Sequence, residues 1–353
     1  MIVLANLSKK MILKEAHIFV GFFFLYFSCH SPSSISNISG STMGTTYTIK
    51  INSEISNINS EKLKFSIDSL LIDLNKKLST WDTNSEVTRF NNSFGLNGFS
   101  ISNDFMNVLK CAQKISSQTD GYFDITIFDL MSFWGFGPFP GSKPIQIDKI
   151  ESILSYTGYR FLKLEEKVYK LNPLLKVDFN AIAKGYGVDK VFQFMINQGF
   201  DNLLVEIGGE VRAQGISSSG TSWTIGVETP TLNRKSQTPF AAIIELDGKS
   251  MATSGNYRNY IEFNGKILGH TINPKIGYPI NSNVLSVSTF AKSCMIADAW
   301  ATALMAMDYQ TGVEYLEKVK GINALWVLDD NGTTKIKKYG EIKIIDSIYT
   351  ISD

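Results

Sequence analysis

The chain lacks most of the features that mark specialised proteins. Three cysteines in 353 residues are too few for a disulfide scaffold. Thirty-four basic side chains against 33 acidic ones leave a formal charge of +1. That balance excludes a basic nucleic-acid coat and an acidic disordered tail, and no nucleic-acid partner is expected. Nine prolines and 27 glycines are ordinary usage, which removes collagen-like and low-complexity classes. Histidine is scarce, and only His270 lies beyond His30. What remains is a 44% hydrophobic chain with ample length to bury a core.

The apolar stretch at residues 17–28 holds roughly twelve greasy residues, short of the ~20 that a permanent spanning helix needs. Lys9, Lys10 and Lys14 precede it, as in a signal peptide, and Met11 offers an alternative start. The stretch ends at Ser28-Cys29, followed by polar residues. This resembles a bacterial lipoprotein signal over residues 1–28, with Cys29 as the lipidated first residue of the mature chain. The alternative is an ordinary cleaved signal with an incidental cysteine. Both put the mature domain outside the cytoplasm; the lipoprotein form implies the cell envelope, anchored to the inner membrane and facing the periplasm. Residues 29–41, rich in serine, are expected as a polar tether. Cys111 and Cys294 then remain, and both sit in apolar, helix-like contexts as structural thiols.

Residues 42–353 read as one domain. Leu63, Ile67, Leu70, Leu71, Leu74 and Leu78 recur at helical spacing, as do Phe105, Val108, Leu109, Ala112 and Ile115. A third helix opens near Gly185, a fourth covers roughly residues 294–308, and a fifth follows Thr311. Strands are expected at residues 47–51, 203–207, 223–227, 241–246, 259–263, 284–290, 324–328 and 341–345. Helices and strands interleave without a regular βαβ period, which predicts an α+β fold in a single compact unit of one or two lobes.

Several clusters exceed what a core requires. Met43 and Gly44 lie among small hydroxyl residues before a strand, where backbone can approach a ligand. Residues 120–126 lead into an aromatic and glycine group, 133–137, that is suited to a planar ring or to a core. Asp178 and Asn180 precede a helix start carrying Lys184 and Gly185, an arrangement that favours an anion but lacks the spacing of a Walker loop. Gly208 and Gly209 sit at a strand end between Glu206 and Glu210. Residues 251–258 read as a hydroxyl-rich turn. Asp298 and Thr302, four apart, share one helical face and offer hard oxygens suited to Mg²⁺.

In order along the chain, these clusters resemble the ApbE family of FAD:protein FMN transferases. The resemblance runs from about Ser41 to about Met307. It rests on residues 43–47, the pair of serines and Glu86 within residues 79–86, residues 120–126 and 178–186, Gly208-Gly209, residues 253–255, 270–279 and 297–302. It implies an ApbE-like, T-fold-related architecture of mixed sheets with packed helices. The implied substrate is FAD, the cofactor Mg²⁺, and the reaction transfer of FMN to a threonine or serine hydroxyl with AMP leaving. The acceptor would be a flavoprotein subunit of a redox complex or a secreted flavoprotein.

Residue by residue, the resemblance assigns flavin contacts to Met43, Trp81, Tyr122, Phe123, Asp124, Asp178, Lys184 and Ile272. It assigns metal ligation to Asp298, Thr302, the Ala181 carbonyl and the neighbourhood of Ala301. Lys184, His270 and Asp298 are the candidate catalytic residues, and Trp134 is expected to help enclose the rings. Trp81 stands where a tyrosine is frequent. Asn273 replaces a usual aspartate, and Lys275 and Ile276 replace a common Arg-Thr pair; an amide at 273 has neither carboxylate charge nor basicity. The alternatives are an FAD pyrophosphatase using the same site and a non-enzymatic FAD-binding lipoprotein.

Overall fold

Period-2 alternation organises the sheets. Leu203, Val205 and Ile207 join one apolar cluster while Leu204 joins another; Ala324, Trp326 and Leu328 divide from Leu325 and Val327 in the same way. Both faces of these strands are buried, which is why they read as short apolar runs. The computed structural model describes residues 34–53, 59–94, 97–138, 145–230, 240–256, 260–263 and 265–352. The signal segment 1–28, Cys29 and the start of the tether lie outside the described residues.

Strands and helices are numbered along the chain. The main sheet has nine strands in the order β1 (Ser34–Thr42), β2 (Thr45–Ser53), β5 (Leu203–Ile207), β6 (Glu210–Gln214), β9 (Ser250–Gly255), β14 (Val284–Ala291), β15 (Asn323–Asp330), β16 (Thr333–Tyr339) and β18 (Ile351–Ser352). Only the β16–β18 pairing is parallel. A smaller sheet of β17 (Ile344–Ser347), β8 (Phe240–Leu246) and β7 (Trp223–Glu228) shares the second apolar cluster with one face of the main sheet. Short hairpins are formed by β3 (Leu162–Leu164) with β4 (Val168–Lys170), β10 (Tyr260–Phe263) with β11 (Lys266–Gly269), and β12 (Ile272–Asn273) with β13 (Tyr278–Pro279).

The other face carries α1 (Ser60–Leu78), α2 (Glu86–Asn92), α3 (Asn103–Gln118), α6 (Ala183–Asn197), α7 (Cys294–Met305) and α8 (Tyr309–Leu316), all contributing to the largest cluster. A satellite cluster gathers Leu130 and Trp134 of α4 (Phe128–Trp134), Ile150 of α5 (Lys149–Leu154) and Ile272. The architecture is α+β, as expected, and residues 33–353 form one compact unit. Asn59, Ser102 and Ser293 cap α1, α3 and α7 by accepting from Lys62, Phe105 and Ile296 N–H. Helix α6 starts at Ile182 with no side-chain cap.

Two expectations fail here. The serine-rich segment expected as tether is, from Ser34 onward, strand β1, paired with β2 in continuous register and burying Ile38. The segment expected as a hydroxyl-rich turn is largely strand β9, in the middle of the main sheet. Thr253 Oγ1 meets Ser288 Oγ of β14 at 2.7 Å, so the neighbouring strand satisfies the hydroxyl that suggested a turn. Cys111 and Cys294 are free thiols, as expected.

Candidate active site

Two hairpin turns meet above the start of α6. Met43 (φ 50°) and Gly44 (φ 72°) form the two-residue turn between β1 and β2, both in the left-handed region. Such a backbone is unfavourable for methionine, and the two-residue hairpin turn imposes it. Its side chain lies over α6, with Cε 3.1 Å from where a Cβ on Gly187 would stand. The β5–β6 turn, Gly208-Gly209, donates its Gly208 N–H to the Thr46 carbonyl at 3.1 Å. A Cβ on Gly208 would strike Thr45 Cγ2 at 2.8 Å and press on Lys184 Cδ at 3.3 Å. The turn therefore seats Lys184 beside the Met43 hairpin.

Helices α6 and α7 touch backbone to backbone at Gly185. A Cβ there would lie 2.4 Å from the Cys294 carbonyl oxygen. This approach lets Gly185 N–H donate to Asp298 Oδ2 at 2.9 Å. That N–H belongs to the first turn of α6, where backbone donors have no partner inside the helix. The Ala181 carbonyl, just before the helix, takes no backbone hydrogen bond among the described residues. Asp298 Oδ1 likewise takes none there, and Thr302 Oγ1 sits 3.3 Å from Ser254 Oγ at the end of β9.

Lys184 Nζ donates to Glu210 Oε1 at 2.8 Å, while the buried Glu210 Oε2 has no hydrogen-bond partner among the described residues. Burial disfavours charge on Lys184, but Asp298 and Glu210 outweigh it and hold its pKa above the usual lysine value. Burial raises the Asp298 pKa against the opposing pull of Lys184 and the Gly185 N–H. Burial also raises that of Glu210, with Lys184 opposing and Asp298 adding to it. Two carboxylates thus face one ammonium in a buried place, where either a proton or a further cation offsets the second negative charge.

Asp298 Oδ1, the Ala181 carbonyl and the Thr302 hydroxyl, which meets Ser254 Oγ at 3.3 Å, are hard oxygen donors that fit Mg²⁺. No group of three or more His, Cys, Asp or Glu side chains placed for a metal occurs among the described residues, so a cation here depends on hydroxyl and backbone oxygens beside Asp298. Ala301, fully buried within α7, can add only backbone.

Asp189 of α6, which the sequence did not single out as functional, joins this junction. Its carboxylate accepts from Ser293 Oγ (2.6 Å), Cys294 N (3.0 Å) and Met295 N (3.0 Å), and pairs with Arg212. It caps α7 from the neighbouring helix and so sets where Asp298 stands. Glu210 was visible beside the paired glycines, but only the fold reveals its pairing with Lys184. Asp189 had no signal at all: one aspartate within a helix looks solvated.

The other expected residues divide. Asp178 is buried, bonded to Asn180 through both oxygens, and burial pushes its pKa up to about 6. Its N–H donates to the Ile125 carbonyl at 2.7 Å, tying it to residues 120–126. Within that segment Phe123 is a core residue. Asp124 is spent on Thr126 N–H and Oγ1 (2.8 and 2.7 Å) and Tyr159 N–H (2.7 Å). Tyr122 is half-buried, with Lys275 Nζ 4.7 Å above its ring and bonded to Asp120 at 2.9 Å. Trp134 is a core residue and does not present its ring to the site: it is 2% exposed and donates Nε1–H to the Gly277 carbonyl at 2.8 Å. Ile272 is buried against it.

His270 packs edge-on to Phe136, 6.2 Å between centroids. Its neighbour Thr271 donates N–H to Asn256 Oδ1 at 3.2 Å, which links this segment to the β9 end bearing Ser254. Asn273 holds the short β12–β13 turn, its carbonyl accepting from Gly277 N–H at 2.9 Å. Trp81 stands apart, 61% exposed beyond the end of α1.

The lysine seated in the first turn of α6 and the oxygens of Asp298, Thr302 and Ala181 beside it are groups that could hold a phosphorylated substrate and a divalent cation. The chain belongs to the ApbE family, whose model matches residues 43–326. It is 38% identical over 291 residues to the FAD:protein FMN transferase of Vibrio cholerae, covering 82% of this chain and 86% of that one. It is 35% identical over 330 residues to that of Haemophilus influenzae, covering 90% and 94%. The solved structure of the flavin transferase ApbE from Vibrio cholerae superposes with a TM-score of 0.78 at 35% identity, covering 87% of this chain and 97% of that one.

Proposed function

We propose that this chain is an FAD:protein FMN transferase, moving FMN from FAD to a threonine or serine hydroxyl of an acceptor protein and releasing AMP. The observation that carries the proposal is the α6–α7 junction, where Asp298 accepts Gly185 N–H beside Lys184 and the Ala181 carbonyl, which takes no backbone hydrogen bond among the described residues. Family membership, and the names of the relatives, support the same reaction. Attack on one phosphorus of a pyrophosphate builds charge on the bridging oxygen as AMP departs.

In this reading Lys184 binds phosphate oxygen, and Glu210 keeps the lysine charged and in place. Asp298, Thr302 and the Ala181 carbonyl would hold Mg²⁺, which supplies positive charge at the leaving oxygen. His270 orients the phosphate or takes the acceptor hydroxyl's proton. Met43 and Tyr122 line the flavin's approach. The signal segment and a lipid on Cys29 would place the domain at the cell envelope, where the acceptor is a redox-complex subunit or a secreted flavoprotein.

The test is to incubate the purified protein with FAD, Mg²⁺ and candidate acceptors, and to weigh the acceptors. A gain of one FMN together with AMP release is expected. AMP release with unmodified acceptors would replace transfer with hydrolysis, and no AMP release would overturn the enzymatic reading.

A further inference from the structure

Glu210 is not among the residues that the family resemblance assigns to flavin or metal, yet it is built into the site. It opens β6 directly after the Gly208-Gly209 turn and is 3% exposed. One carboxylate oxygen takes the Lys184 ammonium at 2.8 Å; the other is buried without a hydrogen-bond partner among the described residues. A buried carboxylate that spends only half its acceptors is costly unless its charge serves another group. Three charges meet here. Lys184 interacts with both Asp298 and Glu210, and the two carboxylates repel each other.

We infer that Glu210 is a positioning residue that keeps Lys184 from neutralising Asp298, so that the Asp298 site retains net negative charge for a divalent cation. The inference rests on the metal reading above. With Glu210 ionised, Asp298, Glu210 and Lys184 total −1, and the lysine is held toward β6. Without that charge the total is zero and the ammonium competes with the cation for Asp298. Outer groups of this kind shift metal affinity by roughly ten- to a hundredfold. The lysine and the metal can then act together on one phosphorylated substrate instead of excluding each other.

The test is metal binding by the full protein without FAD, using Mn²⁺ as a paramagnetic probe and Mg²⁺ as competitor, with folding checked by circular dichroism. Glu210→Gln should weaken Mn²⁺ binding by roughly ten- to a hundredfold. Glu210→Asp, which keeps the charge, should stay within a few-fold of the parent, and it decides the matter if the glutamine variant does not fold. Lys184→Met should bind Mn²⁺ at least as tightly as the parent while losing FMN transfer, an outcome that a purely structural role for the pair does not produce. Parental affinity in a folded Glu210→Gln protein, or weakened affinity in Lys184→Met, would overturn the inference. A parent that binds neither Mn²⁺ nor Mg²⁺ would overturn the metal reading with it. A parent that binds metal but transfers no FMN would remove the transferase reading and leave the titrations to decide the role of Glu210.

Discussion

Replacing Gly185 by alanine probes the contact on which the site turns. The new Cβ would lie 2.4 Å from the Cys294 carbonyl oxygen, 2.7 Å from its carbon and 2.8 Å from Asp298 Cβ. None of these is the end of a flexible side chain, so relief requires the two helices to part. Ordinary contact begins at 3.4 Å, which sets the parting at about 1 Å in a close-packed interior. That movement takes the 2.9 Å bond from Gly185 N–H to Asp298 out of range. Overpacking costs about 1–3 kcal/mol, and a hydrogen bond to a carboxylate contributes about 1.5–3 kcal/mol. Because the helix shift relieves one while breaking the other, the expected loss of stability is about 2–4 kcal/mol. A misplacement of about 1 Å at a reacting group costs on the order of 100-fold in rate. Urea unfolding and FMN transfer should be measured on the same preparation. A Gly185→Ala protein that unfolds with the parent and transfers at the parental rate would refute the argument.

Further predictions concern the metal, a buried lysine and the leader. Asp298→Ala should lose most transfer activity, whereas Thr302→Val should lose less and recover partly at raised Mg²⁺, since only Asp298 brings a full charge; a folded Asp298→Ala protein with parental turnover removes the metal assignment. Lys170 is 1% exposed, donating to the Asn91 and Ser93 carbonyls at the end of α2, and burial pushes its pKa down to about 8. Between that value and the usual 10.5 the unfolded chain binds the extra proton, so Lys170 contributes stability that rises with pH. Relative to Lys170→Met, the parent should gain about 2 kcal/mol from about pH 8 to about pH 10 in urea titrations, and a pH-independent difference would contradict this. Cys29→Ala should abolish incorporation of a clickable fatty acid; unchanged labelling would show that the lipid is elsewhere.

Much of this was legible where local chemistry and tertiary environment agree. Leu203–Ile207 reads as a strand and is one, and Leu63 to Leu78 marks the buried stripe of α1. Reading failed where they disagree. Ser250–Gly255 has the composition of a turn, because Ser, Thr and Gly hydrogen-bond or bend locally. Placed between β6 and β14, its backbone pairs on both sides and the Thr253 hydroxyl finds a cross-strand partner in Ser288. The serines of β1 suggest solvent, and an edge strand is where polar residues suit a sheet. Trp134 was ambiguous between ring cover and core because an indole serves either; the Gly277 carbonyl that satisfies its N–H lies 143 residues away.

By itself the sequence determined the kinds of atom available to the site and their local spacing. Asp298 and Thr302 had to share a helical face, Lys184 had to lie in the first turn of α6, and Gly208-Gly209 had to turn the chain between strands. Those follow from backbone periodicity, which acts over a few residues. Only the tertiary structure decided that Asp298 takes the N–H of Gly185, 113 residues away, and that Glu210 holds Lys184. These contacts depend on two helices meeting without a side chain between them and on β6 opening with Glu210 within reach of Lys184. Spacing along the chain carries no record of such a meeting, because close packing is a property of elements that are neighbours in space.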